Sequence, residues 1–155
     1  NLNTHANTSV TIANGVHGLK IETGTFTPVL KFGGDNVGMT LDRQFGQYYK
    51  IGKIVHIEVE LRLTAKGTSE GAATIEGLPF LKATGPTLNI SYALGSYAYL
   101  VCPPNVTGFC LRMPYGSPTS ILLYGLRSND ALAGISHEHF NNNTHIYFGL
   151  TYLTN

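Results

Sequence analysis

Tyr92, Tyr97, Tyr99, Tyr115 and Tyr124 fall in one stretch of the chain together with Arg112, Arg127, Asn129 and Asp130. Sugars present C–H faces and hydroxyls, so proteins that bind them pair aromatic rings with Asn, Asp and Arg side chains. This set is the candidate carbohydrate-binding site. Tyrosine is also a favoured residue of protein–protein interfaces, and the chain has no Trp. Tyrosine enrichment alone therefore does not separate glycan binding from subunit packing.

Other chemistry finds less support. Ser, His and Asp are all present, but no G-x-S-x-G elbow frames a nucleophile. Six histidines and nine carboxylates will form chance pairs, and the expectation is that the chain is not an enzyme. His137-Glu138-His139 is an H-x-H; in a strand both rings would point the same way. Three copies about a threefold axis would then supply an octahedral set of nitrogens suited to a transition metal. Two histidines in a polar loop are more often simply exposed, so no metal or other cofactor is expected, with His137 and His139 as the pair to check. His56 and Glu58 share the exposed face of a strand and read as a solvated or inter-subunit polar pair. Cys102 and Cys110 flank "PPNVTGF" and could face each other if that loop closes a hairpin. Sequons begin at Asn7, Asn89, Asn105 and Asn142. They would be glycan acceptors only in a chain secreted by a eukaryote.

The elements that must position these groups read as β throughout. From Ile54 to Leu63 the chain alternates, with Val55, Ile57, Val59, Leu61 and Leu63 on one face and His56, Glu58, Glu60 and Arg62 on the other. Period two over such a run is a half-buried strand in an antiparallel sheet. Phe26, Pro28, Leu30 and Phe32 share one side of an earlier segment. Pro28 donates no ladder hydrogen bond, so that segment is an edge strand or carries a bulge. Turns are expected at Gly33-Gly34, Gly52, Gly67 and Gly77-Leu78-Pro79. Leu88–Leu94 and Tyr97–Cys102, separated by Gly95-Ser96, read as a hairpin. Phe109–Met113 and Ser120–Leu126 read as further strands. "RSNDALAGISHEHFNNN" is ambiguous, a short strand and then a polar loop. The final strand, His145 to Leu153, places Ile146, Phe148, Leu150 and Tyr152 on one face and Tyr147 and Leu153 on the other. No amphipathic helix and no solenoid period is found. The fold class is all-β, an antiparallel β-sandwich, most plausibly a jelly roll.

Charged residues make up only 12% of the 155 residues, about half the usual fraction. A small domain ordinarily needs more charge to stay monomeric and soluble, so part of the surface is expected to be covered by further copies of the chain. The two-sided apolar character around Gln47-Tyr48-Tyr49 and in the Tyr147 strand points the same way. A net charge of +1 gives no reason to expect nucleic acid or an anionic membrane as partner, and no run is long enough to span a bilayer. The polar opening "NLNTHANTS" marks residues 1–13 as a lead-in or linker from an upstream shaft. Residues 14–155 then form a single β-sandwich domain.

Three blocks carry a resemblance: "GTFTP", "GQYYKIGKIVHIEVELRLTAKGTSEGAATIEGLPF" and the ending "THIYFGLTYLTN". Together, in this order, they resemble the C-terminal receptor-binding and trimerisation domains of bacteriophage tail fibres and tailspikes. The stretch 86–140 matches only in strand rhythm. The resemblance implies a homotrimeric jelly roll related in shape to tumour necrosis factor and C1q, at the distal end of a fibre on the virion. The implied partner is a host surface glycan: a polysaccharide, lipopolysaccharide or teichoic acid. It also implies folding in the bacterial cytoplasm, where thiols stay reduced, which favours free Cys102 and Cys110. The alternative role is a structural trimerisation cap with no ligand of its own.

Overall fold

The computed structural model describes residues 20–84, 91–102, 104–114, 119–128 and 131–155. The expected lead-in, residues 1–13, and the start of the following domain lie outside them. The strands are β1 (Ile21–Phe26), β2 (Val29–Phe32), β3 (Thr40–Ile51), β4 (Ile54–Ala65), β5 (Ala73–Glu76), β6 (Ser91–Leu100), β7 (Val106–Met113), β8 (Ile121–Arg127), β9 (Ala133–Gly134) and β10 (Phe140–Leu153). Among the described residues the helical structure is one 3-10 turn, His137–His139.

All pairings are antiparallel, and the ladder runs β1-β3-β4-β10-β6-β7-β8-β5-β2, with β9 on β8. This single sheet curls into a half-barrel whose two arms face each other. Arm A holds β1, β3, β4, β10 and the second half of β6; arm B holds the first half of β6 with β7, β8, β5 and β2. The inward residues of both arms form one core. Arm A gives Val55, Ile57, Val59, Leu61 and Leu63 from β4 and Ile146, Phe148, Leu150 and Tyr152 from β10. Arm B answers with Leu30, Phe32, Ile75, Leu111, Met113, Ile121 and Leu123. The all-β sandwich reading holds, with its two layers made from one continuous sheet.

The alternation of β4 falls as expected, every second residue buried. Ile51 pairs with Ile54 across Gly52-Lys53; Gly52 has φ +57, a left-handed conformation that glycine adopts without a Cβ clash. Pro28 falls between two edge strands, at opposite ends of the ladder. Thr27-Pro28 thus carries the chain from one arm to the other, and the carbonyl of Pro28 accepts a hydrogen bond from Gln44 Nε2 at 2.9 Å.

The Gly95-Ser96 hairpin is not what the chain forms. β6 runs straight through both residues; its first half pairs with β7 and its second half with β10. Gly95 provides room rather than a turn. A Cβ there would sit 2.9 Å from Leu111 Cδ1 and 2.9 Å from Phe109 Cδ1, so its absence lets two core side chains close on the backbone. The ambiguous stretch resolves into β9, the 3-10 turn and the start of β10. There Asn143 has φ +76, and the ladder with β6 shifts register between Phe140 and His145. Thr144 fastens this irregularity: its hydroxyl accepts from Asn141 N and donates to Tyr99 O, both at 2.9 Å.

Candidate functional site

The strand period that buries one face of arm A leaves the other in solvent, and register sets its side chains in rows. One row is Phe45–Glu60–Tyr147–Ser96, on β3, β4, β10 and β6. The next is Gln47–Glu58–Gly149. These residues line an open cleft of about 520 Å³, with Leu94 at its β6 side. Phe45 and Tyr147 are 47% and 45% exposed, and they flank Glu60 from the two adjoining strands. Strands spaced by about 4.8 Å put those two aromatic positions roughly 10 Å apart, wide enough for a pyranose ring between them. Gly149 contributes no side chain, and the His56 ring lies over it, 3.3 Å from where a Cβ would stand.

The polar groups are held in place. Glu60 Oε1 lies 3.2 Å from the Tyr147 hydroxyl, which donates to it, 3.2 Å from His145 Nε2 and 4.0 Å from Arg43 Nε. The rings of His145 and Tyr147 pack at 4.1 Å between centroids. Loss of solvent, and then the neighbouring Glu60 carboxylate, push the Tyr147 phenol above its ordinary pKa, so it stays a neutral donor. Gln47 Nε2 donates to Glu58 Oε2, and among the described residues no hydrogen bond reaches Glu58 Oε1. Rings, acceptors and amide donors together can hold a hydroxyl-rich ligand with an apolar face.

Of the expected carbohydrate set, Arg112 and Tyr124 share one side of arm B, on β7 and β8. In β6 the backbone of Tyr92 pairs with Arg112. Tyr97 instead turns its ring against Phe109, 5.7 Å between centroids, and its hydroxyl accepts from Cys102 Sγ at 3.1 Å. Tyr99 is widely exposed in a left-handed conformation (φ +58) at the end of β6. Arg127 closes β8. Tyr115, Asn129 and Asp130 lie outside the described residues. The described members of the set therefore lie on strands of both arms.

The cleft was missed because it needs cross-strand register. Glu58 and Glu60 were visible on an exposed face, but Glu58 pairs with Gln47 instead of His56, whose Nδ1 meets Thr151 Oγ1 at 2.9 Å. The β3–β4 hairpin at Gly52 was a usable signal, since a two-residue turn fixes Gln47 opposite Glu58 and Phe45 opposite Glu60. Nothing local announced that Tyr147 would join them.

His137 and His139 occupy the 3-10 turn, not a strand, so the common direction assumed for their rings is lost. Gly71 N donates to His137 Nδ1 at 2.9 Å, and Ser136 N donates to His139 Nδ1 at 3.0 Å. Both rings serve as local braces. Among the described residues, no three His, Cys, Asp or Glu side chains gather as a metal site. Cys102 and Cys110 are both free. Leu94 faces Cys110 in the β6–β7 ladder, which puts Cys102 well past the point where the two could meet.

Over 123 residues, 77% of its length, the chain is 34% identical to a capsule KN4-specific depolymerase of Klebsiella phage K64-1. It spans 15% of that protein. The fold matches the crystal structure of the Dettilon tailspike protein with a TM-score of 0.66, over 86% of this chain and 24% of that one, at 16% identity. The likeness is to phage tailspikes. The tailspike-like domain matches no family model. Fold and sequence similarity thus both point to the phage tailspikes that the resemblance named.

Proposed function

We propose that this tailspike-like domain binds a carbohydrate of the host cell surface, as part of a phage tail fibre or tailspike on the virion, and helps three chains assemble. The observation that carries the reading is the arm A cleft, where Phe45 and Tyr147 flank Glu60 beside Gln47 and Glu58. Similarity to a capsule-specific depolymerase supports a glycan as the ligand class. The domain itself is read as non-catalytic, with polymer cleavage, where such a protein has it, carried by other parts of the longer chain. Incubating the purified domain with capsular polysaccharide should release no new reducing ends. Glycan-array binding should fall about tenfold in Phe45→Ala and in Tyr147→Ala, a loss of the size that removing one aromatic contact produces. Arg112→Ala and Tyr124→Ala, on the outer side of arm B, should leave it unchanged; the opposite pattern would move the site to the residues first expected from sequence.

A second reading, an assembly cap without a ligand, draws on another row of arm A. Ile21, Ile51, Ile54 and Leu153 face one another across four strands and are each about half exposed. Apolar side chains so aligned are what a subunit contact covers. A trimer that binds no glycan on the array, at high concentration, would favour this reading.

A further inference from the structure

Resting on the glycan reading above, we infer that the arm A cleft selects neutral or basic sugars and rejects acidic ones. The residues lining it are Glu58 and Glu60 among apolar and uncharged groups, with no Lys, Arg or His in the lining. The basic side chains nearby already have partners. Arg43 and His145 both approach Glu60 Oε1, His56 Nδ1 meets Thr151 Oγ1, and Arg62 forms a two-point pair with Asp42. That pair holds the Asp42 carboxyl below its usual range, the hydrogen bond from Arg62 being the main cause. The cleft therefore meets a ligand with acceptors and, at Glu58, with a negative charge that no basic side chain among the described residues offsets.

A carboxylate accepts hydrogen bonds and donates none. Glu58 has Oε2 occupied by Gln47, so Oε1 is the oxygen turned to the ligand's use. A sugar hydroxyl, or the ammonium of an amino sugar, donates to it well. A uronate or a pyruvyl group brings a second negative charge to a few ångströms, which is repelled even in a watery surface groove. The flanking rings of Phe45 and Tyr147 take the C–H face of either kind of sugar, so the carboxylates, not the rings, decide between them. The repulsion acts across solvent and weakens with salt.

The test uses the whole domain and defined tetrasaccharides: maltotetraose, cellotetraose and chitosan tetramer against hyaluronan and polygalacturonate fragments. Binding is read by calorimetry and by amide shifts at Phe45, Tyr147 and Gly149. Neutral tetramers or the chitosan tetramer should perturb these amides, and the acidic ones should bind at least fivefold more weakly. Glu58→Gln should narrow that ratio about fivefold, and so should raising the salt, which needs no substitution. Acidic tetramers that perturb the same amides as strongly as neutral ones, with a ratio indifferent to Glu58→Gln, would overturn the selectivity and leave glycan binding intact. Shifts confined to arm B would overturn the assignment to this cleft alone. No binding by any member of the panel would overturn both the selectivity and the glycan reading.

Discussion

At the scale of single residues, two buried polar side chains hold the core's rim. Tyr152 is 2% exposed and its hydroxyl donates to Phe80 O at 3.0 Å. Burial pushes its phenol up to about 12. A folded-state pKa above the unfolded value of about 10 means that the native state keeps its proton while the unfolded chain loses it. That contribution is fully present below pH 10 and is lost as pH rises to 12. Urea unfolding should show stability falling by about 2–3 kcal/mol across that window. Tyr152→Phe, which has no proton to lose, should flatten this part of the profile while costing about 1 kcal/mol at neutral pH for the lost hydrogen bond. Lys82 is also buried, and its ammonium donates to Met113 O at 3.3 Å and Pro114 O at 2.9 Å. Lys82→Ala strips both carbonyls of their donor and should cost about 1–3 kcal/mol in chemical denaturation. A change within a few tenths of a kcal/mol would show that solvent satisfies them instead.

Among the elements, β6 is the one on which the two arms depend, because it changes partner midway. Gly95 lies where the β7 pairing ends and the β10 pairing begins. Gly95→Val would press side-chain atoms into Leu111 and Phe109 and should destabilise by about 1–3 kcal/mol, read as a shift in unfolding midpoint without a change in slope. β6 also marks the limit of what the sequence made legible. The alternation of β4 and of the end of β10 announced their buried faces correctly, since period two needs only local information. The turn at Gly52 did the same for the β3–β4 register. Gly95-Ser96 misled because a glycine that admits neighbouring side chains looks, in sequence, like a glycine that turns the chain. Sites that need several strands are harder to read. The β3–β4 turn sets Phe45 opposite Glu60, but Tyr147 joins them from β10, far along the chain, and no local signal announces that pairing.

For the whole molecule, the sparse charge and the Ile21–Ile51–Ile54–Leu153 row belong to one question, how many copies assemble. Light scattering of the domain should give about three chain masses, and the pair Ile51→Lys with Ile54→Lys should give one, since burying two ammonium groups opposite their symmetry mates is strongly unfavourable. Both residues are exposed and flank the Gly52 turn, so the monomer should keep its strand content by circular dichroism. A trimer that survives the double change would place the contact elsewhere. Thr27-Pro28 has a consequence of another kind. β1 and β2 are the two free ends of the ladder, yet they are neighbours in the chain, and from Phe26 to Val29 the backbone reaches roughly 10 Å at most. The half-barrel is therefore fastened by covalent bonds at the seam that its hydrogen bonds leave open. Spreading the arms at this seam would require stripping β1 from β3 or β2 from β5, so a chain cut between Thr27 and Pro28 should exchange the amides of β1 and β2 faster than those of β4 and β10.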